Sequence, residues 1–168
     1  MRNKLITLVI IAIALCVSCS NTSEKRLFKK MKPLAEQYLA DCDIIYDSLR
    51  IDCIDTINEL NYANLNIELL HEMEDAYLTQ YQELIQTDTV KAHYVRLYLR
   101  DIQNTLEDLT SMMENGELDN QKLLLYMVSG YSHEGKEKEP FIFFVQPDLK
   151  TLYTMDPFGD NLLYREEK

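Results

Sequence analysis

Residues 62–113, YANLNIELLHEMEDAYLTQYQELIQTDTVKAHYVRLYLRDIQNTLEDLTSMM, hold the longest regular pattern in the chain. Tyr62, Leu65, Leu69, Met73, Ala76, Tyr77, Tyr81 and Leu84 recur at helical steps. After Gln86-Thr87-Asp88-Thr89 a second set follows: Val90, Tyr94, Leu97, Tyr98, Ile102, Leu106, Leu109 and Met113. A four-residue link between two long helices predicts an antiparallel pair. Asp88 or Thr89 is placed to cap the second helix, and Gly116 after Asn115 to stop it. Tyrosine supplies much of the seam. A ring buries area while its hydroxyl reaches water, so a packed hairpin and a partly open groove share this spacing. The packed hairpin is the expected arrangement, with Tyr77, Tyr94 and Tyr98 as its candidate interaction surface.

Working back from the hairpin, Leu49, Ile51, Cys53, Asp55 and Ile57 alternate with Ser48, Arg50, Asp52, Ile54 and Thr56. Period two predicts a strand with one mostly apolar face, spoiled toward its end by Asp55 and Ile54. Before it, Leu27, Met31, Leu34, Tyr38, Cys42 and Ile45 predict an amphipathic helix over about 24–46. Pro33 removes a backbone donor and clashes with the preceding turn, so the helix is expected to kink there or to begin there.

Forward of the hairpin the pattern is β again. Leu123–Val128, Phe141–Gln146 and Leu149–Met155 read as an antiparallel meander. His133–Pro140 reads as a charged loop, Pro147-Asp148 as a tight link and Asp156–Asn161 as a further turn, with Leu162-Leu163-Tyr164 as a last short strand. The order helix, strand, helical hairpin, three strands predicts one α+β domain over 25–168. Its helices are expected on one face of an antiparallel sheet of about four strands.

The amino terminus gives an address. Arg2 and Lys4 precede an apolar run, Leu5–Val17, which has the layout of a secretory signal peptide and is too short to span a bilayer. Leu15-Cys16-Val17-Ser18-Cys19 resembles a bacterial lipobox, with the small Ser18 before the cysteine and Cys16 where leucine is usual. With this start and layout, the chain resembles the small envelope lipoproteins of Bacteroidota. The resemblance implies a signal peptide over 1–18, lipidation of Cys19 and a short polar tether to residue 24. Membrane lipid, reached through the acylated cysteine, is then the first partner. Several acyl chains hold a protein stably where one does not. Ser20 and Asn21, with no Asp beside the cysteine, imply the outer membrane by similarity to enterobacterial sorting.

Net charge is −11, and loss of Arg2 and Lys4 with the signal would deepen it. Phosphate neutralisation needs clustered Lys and Arg, so nucleic acid is disfavoured. The basic cluster Lys25, Arg26, Lys29, Lys30 and Lys32 sits just past the anchor, where a solvated face is expected. Cys42 and Cys53 remain after processing, either paired by an oxidising envelope or buried as free thiols.

Chemistry-bearing motifs are absent. His71-Glu72-Met73-Glu74-Asp75 lacks the second histidine of a zinc helix, His93 and His133 are isolated, and the four glycines are too scattered for a phosphate loop. Neither a metal nor a cofactor is expected, and a non-enzymatic role follows. The first expectation is a lipoprotein that binds or scaffolds an envelope protein. The alternative is a small-ligand module with an apolar pocket lined by residues such as Phe143, Tyr126 and Tyr153.

Overall fold

Asn58 ends a strand and caps the following helix, so strand and helix meet without a loop. The computed structural model describes residues 22–155 and 162–164. The signal segment, Cys19 and the 156–161 turn lie outside the described residues. The described chain divides into two compact units, residues 22–57 with 123–155, and residues 58–122 with 162–164. The α+β class holds, with three α-helices, a helical hairpin after the first strand and a four-stranded antiparallel sheet.

In the first unit, helix α1 spans Thr22–Asp41 and includes Pro33 in its interior, so it does not begin there. Pro33 lies on the exposed face of the helix. The buried stripe is Met31, Leu34, Ala35 and Leu39, which packs with Val128, Phe141, Phe143 and Val145 of the sheet. The helix stops five residues before the expected point of 46. Asp43 adopts a left-handed conformation (φ 56°), and the Ile44 and Asp43 amides donate to the Leu39 and Ala40 carbonyls at 2.9 and 3.1 Å. This closure satisfies the final carbonyls and turns the chain away. Ile45, predicted to face inward, is consequently 76% exposed.

The sheet runs β1 (Ser48–Asn58), β2 (Leu123–Glu134), β3 (Glu137–Val145), β4 (Leu152–Tyr153), in that spatial order. Leu49, Ile51 and Ile54 of β1 all lean on the core, so the residue that spoiled the alternation is itself inward. The charged stretch expected as a loop is mostly strand. Register holds from Tyr126↔Val145 to Glu134↔Glu137, leaving Gly135 and Lys136 as the turn. Gly135 supplies the positive φ (58°) that a two-residue hairpin requires. The charges lie on exposed strand ends, where Lys138 Nζ sits 3.4 Å from the Tyr131 ring centroid. β4 is short. Asp148 shapes its approach, its carboxylate accepting from the Lys150 amide (2.8 Å) and the Thr151 hydroxyl (2.7 Å).

In the second unit, α2 spans Glu59–Leu84 and α3 spans Thr89–Glu114. Asn58 Oδ1 accepts from the Asn61 amide at 2.8 Å, and Asp88 Oδ1 accepts from the Lys91 amide at 3.0 Å. Asn115 and Gly116 (φ 68°) close α3 where the sequence put its stop. Ala63, Leu70, Ile102 and Leu109 form the core, with Ile67, Met73, Tyr77, Leu106 and Met113 around them. Leu163 joins that cluster from a single 3-10 turn, Leu162–Tyr164, where a strand had been predicted.

Candidate functional site

On α3 the inward stripe is Ala92, Val95, Leu99, Ile102 and Leu109. The sequence pattern had placed Val90, Tyr94 and Tyr98 in the seam, and the structure turns them out. They are 65%, 59% and 55% exposed. α3 carries two overlapping apolar stripes, and the small Ala92 with branched Val95 takes the inner one, leaving the rings outside. Val90, Tyr94 and Tyr98 are spaced i, i+4, i+8, so they form one continuous row along roughly 12 Å of helix.

Tyr77 of α2 is half-buried and stacks on Tyr98, with ring centroids 5.7 Å apart and planes 14° from parallel. His93 meets Tyr94 edge-on at 6.1 Å. The three tyrosines singled out from sequence are therefore brought to the hairpin, Tyr77 and Tyr98 in contact and Tyr94 one turn from Tyr98. At the loop end of this row, the Asp88 carboxyl is held below the usual carboxylate range, chiefly by the Lys91 amide it caps. The row offers ring area and hydroxyl donors. Both properties suit a binding surface.

Comparison with known proteins finds no matching family model, no matching characterised protein and no matching solved structure. The candidate sites rest on this chain's own geometry.

The His71 cluster does not assemble. His71 Nδ1 lies 3.7 Å from Glu74 and borders an open groove of about 430 Å³ with Leu106, Glu107, Thr110, Ser111 and Glu114. Among the described residues no group of three metal-ligating side chains converges. Cys42 and Cys53 are unbonded to each other. Cys42 is exposed, against the expectation of a buried thiol, and Cys53 Sγ donates to Asp55 at 3.3 Å.

Two of the three residues expected around an apolar pocket meet at a cavity in the first unit. Phe143 and Tyr153 line a cavity of about 340 Å³, whereas Tyr126 packs against the core instead. Its remaining wall includes Tyr38, Asp41 and Cys42 from the end of α1, together with Thr154 and Met155. Sequence reasoning missed those residues, because no local pattern marks where two strands part company.

Proposed function

We propose that this chain is a membrane-anchored envelope lipoprotein that binds a protein partner through the outer row of its helical hairpin, without catalysis. The exposure of Val90, Tyr94 and Tyr98 along one helix face carries this reading. Large apolar residues exposed singly are ordinary, whereas a row of them with aromatic members is the composition of binding surfaces. Tyrosine suits the task because it brings wide contact area at low entropic cost. The fitting partner is a protein surface with an apolar ridge of about two helical turns, flanked by acceptors for the two hydroxyls.

The anchor supports the same reading, since a tethered domain meets its partner at a membrane surface and gains effective concentration. Among the described residues no helix is long and apolar enough to cross a membrane; the attachment proposed is the acylated Cys19. A photo-crosslinking residue at position 94 or 98, introduced into the full chain in cells, should capture the same adduct from both sites. The same probe at exposed Asp108 should not. Equal capture at 108, or none at 94 and 98, overturns the proposal. Metabolic fatty-acid labelling tests the anchor separately: Cys19→Ala should lose the label and leave the membrane fraction, and equal labelling ends the lipoprotein reading.

A further inference from the structure

The cavity beside α1 is independent of the hairpin row, and its chemistry is of a different kind. It arises where the β3–β4 ladder opens. Phe144 pairs with Tyr153 and Val145 with Leu152, and there the pairing ends. Continued register would set Thr154 against Phe143 and Met155 against Ile142, yet those residues are not in the strand, and all four line the cavity. The last turn of α1 adds Tyr38 and Asp41 to the wall, and Cys42 follows directly after it.

Two features of this wall select a ligand. The first is electrostatic. A helix C-terminus carries the negative end of its dipole, and basic residues in the last turn usually offset it. α1 has no basic residue there and has Asp41 instead, with Asp43 following. Asp41 takes part in no ion pair among the described residues. Among the described residues it is also the only charged one on the wall. The second feature is aromatic. Four of the lining residues are aromatic: Phe143 is buried with its ring stacked on Tyr38 at 5.2 Å, and Phe144 with its ladder partner Tyr153 lies on the other face of the sheet. Burial, and then its neighbour Cys42, push the Tyr38 hydroxyl above the usual tyrosine range, which keeps that ring neutral.

A metal ion would find one carboxylate and an apolar wall, which is no ligand set. An anion would meet Asp41 and the wrong end of a helix. A neutral apolar molecule would gain nothing from the carboxylate, which is exposed to water. A cation with an apolar skin meets every part of the wall, since its charge faces Asp41 and ring faces attract alkylated ammonium groups. The volume lies at the small end of the range for ligand pockets. The geometry points to a binding site for a small organic ammonium ion at the opened β3–β4 ladder, closed by Asp41 and Tyr38 at the end of α1.

Three probes of one shape test this: choline, its neutral isostere 3,3-dimethylbutanol and the anion 3,3-dimethylbutyrate. Each is titrated into the full-length chain in a non-ionic maltoside detergent, with affinity read by calorimetry and by proton shifts of the tyrosine rings. Choline should bind at least tenfold tighter than the alcohol, and the anion should not bind. Asp41→Asn, an exposed change at a helix end, should weaken choline about tenfold and leave the alcohol unchanged. Tyr153→Leu should weaken choline severalfold. Glycerophosphocholine, the soluble headgroup of a choline lipid, separates two sources of the same cation. Weaker binding than choline identifies a free ion, and tighter binding identifies a lipid headgroup, the ammonium chemistry standing in both cases. Equal affinity for choline and the alcohol, indifference to Asp41→Asn in a folded protein, or no choline binding at all overturns the proposal.

Discussion

Tyr98 lies stacked on Tyr77 across the helical hairpin, their rings 14° from parallel, although Tyr98 is more than half exposed. The pair is at once a clasp between α2 and α3 and part of the surface offered to a partner. Aromatic pairs contribute beyond their buried area, and solvent reduces that share. A double-mutant cycle of Tyr77→Ala and Tyr98→Ala should give a coupling of about 0.5 kcal/mol. Chemical denaturation of the four proteins measures it, and additive losses would show that the stack contributes nothing.

Gly130 and Gly135 belong to one hairpin and should respond differently to alanine. A Cβ at Gly130 would collide with the Arg50 carbonyl oxygen and approach Ile51 Cα to 2.9 Å, both backbone atoms of the neighbouring strand. Backbone cannot swing aside as a side chain can, so Gly130→Ala should cost about 3 kcal/mol. At Gly135 the space is empty and only the positive φ objects. Gly135→Ala should cost about 1 kcal/mol. Denaturant midpoints of the two variants would reveal an inverted order.

Asn66 is fully buried in α2. Its amide nitrogen donates to the Tyr62 carbonyl at 2.8 Å, while its Oδ1 has no partner among the described residues. An unanswered buried acceptor costs more than the single bond returns. Asn66→Leu should therefore raise stability by about 1 kcal/mol, seen as a higher denaturant midpoint, and a lower midpoint would contradict the assignment.

Asp88 and Asp148 both hold their carboxyls below the ordinary range, in each case first through a backbone amide, that of Lys91 and that of Lys150. For an acid depressed in the folded state, the stabilisation is complete above its unfolded value and disappears as pH falls through the folded one. Acidification from neutral pH to below 3 should accordingly melt the wild type earlier, and Asp88→Asn should flatten that slope while keeping its cap at neutral pH. Asp148 is exposed and Asp88 is partly exposed, so high salt should shrink their charge-dependent part. Thermal unfolding across this pH range in low and high salt is the measurement.

Much of the second unit was legible in the residues. The interval between Leu84 and Val90, the cap at Asp88 and the stop at Gly116 are local signals, and local signals survive folding. The phase of α3 was not. Val90, Tyr94 and Tyr98 repeat at helical spacing as well as Ala92, Val95 and Leu99 do, and periodicity counts a tyrosine without knowing which side of the ring will be wet. The β2–β3 turn was misjudged for a related reason. Glu137, Lys138 and Glu139 resemble a loop by composition, but charged residues continue a strand at low cost where both faces reach water.

The order of secondary elements, the α+β class and the capping residues were determined by the sequence alone, because each depends on neighbours within a few positions along the chain. The seat of the tyrosines and the cavity at the end of α1 were decided only by tertiary structure. Which of two stripes turns inward depends on the shape of the opposing surface, and a gap between β3 and β4 exists only when Phe143 and Thr154, distant from Asp41 in the chain, are brought to the same helix end.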